Sequence, residues 1–373
     1  MDPNSTEMVY EFPHLVRLYK DGRIERTLLE TIPPGTDLDT GVESKDIEIS
    51  PEKGISARLF RPKITDPTQK LILLIYIHGG AFCIGSPFVI VYHKHLTTLT
   101  AQANVITLSV NYRLAPENPL PIAYEDTWTA IKWAASHVNG NGPEMWLNDH
   151  VDFGRVFFAG DSAGGNLAHN MAMQATIDGL NGLKLEGILL IHPYFGNDKL
   201  DNANRLIAPE RPIPIAYEDS WAAVKWVASH LDGNGPEDWL NLHANFENVF
   251  FSGDNAEPVG SESAKLKKRA RASQQWRFTC PTTTGSDGPI INPAKDQNLG
   301  SLGCGRVLIF VAEEDTLRSR GWYYKELLEK CEWDGVVEIF ETKEENHVFH
   351  LMNPSCENVV ALLNHVVSVI NQN

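Results

Sequence analysis

The segment Val156-Phe-Phe-Ala-Gly-Asp-Ser-Ala-Gly-Gly165 constrains this chain more than any other. An apolar run leads into Gly160-Asp161-Ser162-Ala163-Gly164, and residues with helical spacing follow. A G-x-S-x-G at such a junction predicts a sharp, strained strand-to-helix turn that lifts a serine hydroxyl above the end of a sheet. Taken alone the pattern is weak, because average glycine and serine usage supplies about 0.1 chance match in a chain of this length. Its weight comes from what surrounds it.

Short apolar runs recur along the chain: Leu71–Ile77, Asn104–Val110, Val156–Ala159, Ile188–Ile191, Val307–Ala312 and Val336–Phe340. Continuous runs rich in β-branched residues are expected where both faces of a parallel sheet are covered. Between them, Tyr124–His137 and Leu167–Ala175 carry apolar residues at helical spacing. The alternation predicts an α/β fold with a doubly wound, mostly parallel sheet.

A repeat interrupts this series. Ala115–Ala163 aligns without gaps to Ala208–Ala256, with 33 of 49 positions identical, which is too close for shared fold pattern alone. The second copy ends Val249-Phe-Phe-Ser-Gly-Asp-Asn-Ala256, with Asn255 at the position of Ser162 and the following glycines gone. Only the first copy keeps a nucleophile. Residues 198–256 therefore read as an inserted partial duplication of 115–163 within a single 1–373 domain. The strand Val249–Phe251 would compete with Val156–Ala159 for one place in the sheet, a local conflict that roughens folding. The first copy is expected to win, since only it leads into the helix Asn166–Ala175.

Composition narrows the function classes. The formal net charge is −16, which argues against nucleic acid and anionic membrane surfaces as partners. The basic run Lys265-Leu-Lys-Lys-Arg-Ala-Arg271 reads as a solvated helix face. The five cysteines are scattered, without C-x-x-C or Cys/His ligand spacing, so neither a disulfide frame nor a zinc site is expected. Residues 1–15 contain acids and no apolar block, and the longest apolar runs have strand length, so neither a secretory leader nor a membrane span is expected. A cytoplasmic setting follows. With neither H-E-x-x-H nor a P-loop present, no metal or nucleotide cofactor is expected.

Three further pieces accompany Ser162 in consistent order. His78-Gly-Gly-Ala-Phe82 directly follows a buried run, and its glycines would let backbone amides approach a developing negative charge. Gly79, Gly80 and Ala81 are the candidate oxyanion donors there, joined by Ala163 next to the nucleophile. Asp315 follows Val307–Ala312 and is the candidate carboxylate for orienting an imidazole, with Glu313 and Glu314 as rivals. His347 follows the last apolar run and is the candidate base, with His350 as the alternative and as a possible core residue. The order Ser, Asp, His is that of α/β hydrolases.

Together, His78-Gly-Gly-Ala-Phe82, Tyr112-Arg-Leu-Ala-Pro-Glu117, Gly160-Asp-Ser-Ala-Gly-Gly165, Asp315 and His347 resemble the hormone-sensitive-lipase-like α/β hydrolases. Within them the match is to plant carboxylesterases, and it extends through Arg17–Glu25, Cys280–Thr284 and Gly321–Tyr324. The resemblance implies an α/β-hydrolase fold with about eight strands, helices on both faces and a lid drawn from residues 1–40 and 257–300. It implies a serine carboxylesterase acting on small-molecule esters through an acyl-enzyme. The same family contains 2-hydroxyisoflavanone dehydratases, which carry threonine where this chain has Ser162, and gibberellin receptors, which lack the histidine present here as His347. Ala81 stands where many relatives have a third glycine, a change expected to keep the amide at little cost, and Asn346 precedes His347 where an acid or glycine is usual. Oligomeric state and acyl and alcohol specificity are not legible.

Overall fold

A computed structural model of the protein describes residues 7–12, 16–26, 29–196, 275–283, 285 and 288–372. These belong to one compact unit, 1–197 with 270–373. The inserted repeat 198–256, its competing strand and the basic run Lys265–Arg271 lie outside the described residues.

Near the N-terminus, β1 (Met8–Phe12), β2 (Val16–Tyr19) and β3 (Ile24–Arg26) form a small antiparallel sheet. The central sheet has eight strands: β4 (Glu43–Ser50), β5 (Ile55–Arg61), β6 (Leu71–Ile77), β7 (Ile106–Asn111), β8 (Val151–Asp161), β9 (Leu185–Ile191), β10 (Arg306–Ala312) and β11 (Val336–Thr342). They lie in the order β11-β10-β9-β8-β6-β7-β5-β4. From β7 to β11 every pairing is parallel, and β5 alone runs against the others, pairing antiparallel with β7 and with β4. Helices bounded among the described residues are α1 (Ile90–Ala103), α2 (Ile122–Ala135), α3 (Met145–His150), α4 (Ala163–Asp178), α5 (Arg318–Lys330), α6 (Phe349–Met352) and α7 (Glu357–Asn371).

All six apolar runs read from the sequence are strands of the parallel region. The reason shows in β6, where every residue is buried. Its side chains alternate between faces, because strand periodicity is two. Leu71, Leu73, Ile75 and Ile77 pack with Ala130 and Ile131 of α2, Leu167 and Met171 of α4, and Leu328 of α5. Ile72, Leu74 and Tyr76 pack instead with Leu96 and Leu99 of α1 and with Leu362 and Val366 of α7. Each such side chain contributes roughly 1.5–3 kcal/mol by leaving water, so neither face tolerates a polar residue without a partner. The strands β4 and β5 were not read from sequence. In β4, Glu43-Ser-Lys-Asp-Ile-Glu-Ile-Ser50 lies at an edge, half exposed, and has no apolar run to find.

Parallel strands aim all their carboxyl ends at one rim, where ligand sites of open α/β sheets form. The rim here carries His78 after β6, Ser162 after β8, His192 after β9, the turn to Asp315 after β10 and the loop to His347 after β11. Two glycines let α4 start close to that rim. A Cβ on Gly164 would lie 1.9 Å from the Ile77 carbonyl oxygen, and one on Gly160 would lie 2.4 Å from the Gly164 carbonyl carbon. Both obstacles are backbone and cannot swing aside.

That packing predicts that Gly164→Ala destabilises the protein by about 3 kcal/mol or more, at the upper end of overpacking costs. Gly35→Ala, where a Cβ meets nothing within 4 Å, should stay within about 0.5 kcal/mol of wild type. Urea denaturation midpoints of the two variants check this, and equal midpoints would rule it out.

Candidate active site

Ser162 sits between the end of β8 and the first residue of α4 with φ 51° and ψ −116°. A non-glycine residue there is strained, and such strain persists only where surrounding structure enforces it. The enforcement is visible on both sides. Ser162 N–H donates to the Ile191 carbonyl at 2.9 Å, and its own carbonyl accepts from Tyr194 N–H at 2.9 Å. Serine at a helix start commonly caps it, yet the Ser162 side chain makes no cap bond. Its Oγ lies instead 2.9 Å from Nε2 of His347.

His347 reaches this position from the loop after β11. Its Nδ1 is 2.7 Å from Oδ2 of Asp315, whose side chain is only 1% exposed. Asp315 Oδ1 also accepts from Leu317 N–H at 2.8 Å. Burial by itself pushes the Asp315 carboxyl up, but the His347 ring and the Leu317 amide outweigh it, and the group titrates below its usual range. Asp315 is thus held as a carboxylate, and it fixes the imidazole with Nδ1 protonated and Nε2 open to accept from the serine. That tautomer is the one general-base chemistry needs. The rival residues stand elsewhere. Glu313 accepts from Lys343 and from Glu344 N–H, and Glu314 is exposed. His350 is fully buried, its ring centroid 4.9 Å from that of His95.

The loop after β6 supplies amides. Gly80 has φ +105°, and a Cβ there would lie 2.2 Å from the Ile84 carbonyl oxygen, so glycine is required. The N–H groups of Gly80, Ala81 and Ala163 have no hydrogen-bond acceptor among the described residues. Ala163 opens α4, where the first amides are unpaired and the helix dipole favours negative charge. Gly79 differs from the expectation that its amide is a free donor. Its N–H is 2.9 Å from Tyr92 Oη and 3.1 Å from Asp161 Oδ1, which leaves it no donor for a substrate. Ala81 also departs from the reading that alanine costs little at this position. Its φ is +53°, a left-handed conformation worth roughly 1–2 kcal/mol of strain for a residue with a Cβ.

Asp161, the residue before the serine, was not singled out from sequence. Its buried carboxylate accepts from Tyr76 Oη at 2.9 Å, Tyr92 Oη at 2.9 Å and Gly79 N–H. Burial raises its pKa, and the two tyrosines and the amide pull the other way. This network ties the serine turn to the amide loop. A second set of contacts holds that loop from outside. Gln275 Nε2 donates to the Ala81 carbonyl at 3.1 Å, Gln275 Oε1 accepts from Tyr10 Oη of β1, and Arg26 of β3 donates to the Cys83 carbonyl at 2.7 Å. The only signal for Asp161 in the sequence was its place inside the motif, and Gln275 gave none.

Among the described residues, one group of three could offer ligand atoms to a metal ion: His192, Asp315 and His347, with those atoms within 4.8 Å of one another. In the structure Nδ1 of His347 is bonded to Asp315, and Nδ1 of His192 accepts from Val348 N–H at 3.0 Å. Nε2 of His347 is bonded to Ser162, so both nitrogens of that ring are engaged, and an ion on it would have to displace one of these bonds.

Comparison with known proteins fits this rim. A family model described as alpha/beta hydrolase fold matches residues 74–207, 205–256 and 258–351. Probable carboxylesterase 7 of Arabidopsis thaliana is 40% identical over 361 residues, 96% of each chain. A 2-hydroxyisoflavanone dehydratase of Glycyrrhiza echinata is 36% identical, spanning 98% of this chain and 97% of its own. Among solved structures, an esterase of Pyrobaculum calidifontis superposes with a TM-score of 0.57 at 26% identity, covering 88% of this chain and 84% of that one. With its mostly parallel eight-stranded sheet, its serine turn and these relatives, the chain belongs to the alpha/beta hydrolase fold family, in its plant carboxylesterase branch.

Proposed function

We propose that the protein is a cytosolic serine carboxylesterase that cleaves small-molecule carboxylic esters through an acyl-enzyme. One observation carries the reading: the continuous chain of contacts from Ser162 Oγ through His347 to the buried Asp315 carboxylate. In the proposed reaction Ser162 Oγ attacks the ester carbonyl while His347 Nε2 takes its proton. Asp315 holds the Nδ1–H and stabilises the imidazolium. The tetrahedral oxyanion meets the amides of Gly80, Ala81 and Ala163, each such donor being worth about 3 kcal/mol of barrier. Collapse breaks the bond to the alcohol oxygen, which leaves with the proton from His347. A water, deprotonated by the same ring, then attacks the acyl carbonyl and frees Ser162 and the acid. The small N-terminal sheet and residues 275–279, both in contact with the amide loop, are the proposed lid. Five free cysteines suit a reducing compartment. Among the described residues no helix is long and apolar enough to cross a membrane.

A second reading is favoured by the 2-hydroxyisoflavanone dehydratases of Glycyrrhiza echinata and Glycine max, 36% and 33% identical to this chain. There His347 and the oxyanion amides would assist loss of water from a flavonoid-type ring, with no acyl transfer. Ser162 supports hydrolysis over this alternative, because its hydroxyl already lies on the base.

Three outcomes follow from the hydrolytic reading. Purified protein should release p-nitrophenol from short-chain p-nitrophenyl esters, and Ser162→Ala should lower kcat by at least about 10⁴-fold. Unchanged turnover in that variant would refute the assignment. Asp315→Asn, which keeps the shape but removes the charge that selects the tautomer, should cost about 10⁴-fold in kcat. In an assay of a 2-hydroxyisoflavanone beside an ester, only the ester should be consumed; isoflavone formation without acid release would favour the dehydratase.

A further inference from the structure

The stretch after β9, His192-Pro193-Tyr194, touches both halves of the proposed catalytic pair. On one side Tyr194 N–H and the Ile191 carbonyl hold the backbone of Ser162. On the other side, His192 Nδ1 accepts from the N–H of Val348, the residue directly after His347. The ring centroids of His192 and His347 are 5.7 Å apart. His192 is buried, and its backbone N–H is itself anchored on the Phe310 carbonyl of β10 at 2.9 Å.

Two strained residues meet at this contact. His192 has φ 50° and Val348 has φ 51°. For Val348 the left-handed conformation is unusual, because its branched Cβ crowds the following peptide. Such strain collects where a side chain or amide must be aimed, and something nearby has to enforce it. His192 Nδ1 is the acceptor for the Val348 amide at this turn. Because Nδ1 accepts, the ring proton lies on Nε2, and that buried N–H has no partner among the described residues. Burial keeps the ring neutral, its pKa lowered to about 3.

We infer that His192 is a positioning residue, acting through Val348 to hold His347 at hydrogen-bonding distance from Ser162. The inference rests on the proposed roles of Ser162 and His347. It assigns no contact with substrate to His192. The ring sets where the base stands, while Asp315 sets which nitrogen carries its proton.

The test compares His192→Leu with His192→Asn in the full chain. Leucine fills the space, removes the unpaired N–H and cannot accept from Val348. Asparagine accepts that region's left-handed backbone and can offer Oδ1 near the place of Nδ1. With p-nitrophenyl acetate, His192→Leu should lower kcat about 100-fold, as expected for an ångström-scale misplacement, while KM stays within about 2-fold. His192→Asn should recover kcat to within about 5-fold of wild type. The second readout needs no ester: the low-field proton resonance of the His347–Asp315 hydrogen bond should be present in wild type and His192→Asn, and lost in His192→Leu. If wild type hydrolyses no ester, the functional reading fails by itself, and this resonance alone decides the role of His192. Retention of kcat or of the resonance in His192→Leu overturns the inference, as does an asparagine variant no better than leucine.

Discussion

Placing a serine hydroxyl beside an imidazole depends on how near the first turn of α4 comes to the end of β6. Backbone meets backbone there, with no room for a Cβ on Gly160 or Gly164. Because α4 starts so close, the residue between strand and helix cannot relax into the helical region, and Ser162 is left at φ 51° with its side chain above the rim. The rest of the site is arranged around this point. The amide loop follows β6, so it stands beside the same turn, and Asp161 ties the two together through Gly79 and two buried tyrosines.

Buried charge is used twice, in different ways. Asp315 is stabilised as a carboxylate by its neighbours despite burial, which suits its proposed role of balancing a transient positive charge on His347. Asp161 is pushed the other way by burial, and its three donors serve to fix backbone geometry rather than to face a substrate. The two aspartates illustrate how a carboxylate's surroundings, and not its chemistry, decide whether it is a reacting partner or a clamp. The Gly79 amide shows the cost of the clamp, since the donor it spends on Asp161 is one fewer for an oxyanion.

Much of the architecture was legible because the parallel strands are buried on both faces. Leu71–Ile77 reads as a strand since no face of it meets water, and the same holds for β9 and β10. β8 was legible only in its buried half: Val151–Arg155 pairs past a register shift with the start of β6 and carries Asp152, Gly154 and Arg155, which break the apolar run. The antiparallel edge β4 and the small N-terminal sheet were hidden for the same reason, being half exposed and without continuous apolar runs. Ser162, Asp315 and His347 could be named from motif and order, but the choice between Asp315 and its neighbours rested on turn position alone.

The sequence by itself determined the fold class, the single intact G-x-S-x-G turn and the order of the serine, aspartate and histidine, because these follow from local spacing and from burial patterns written along each strand. Only the tertiary structure decided which amides remain free, that Gly79 is engaged by Asp161, that Ala81 is strained, and that His192 meets Val348. Those outcomes join residues tens to hundreds of positions apart. Hydrogen bonds between such residues depend on a few tenths of an ångström at the sheet rim, a distance set by packing that no local pattern records.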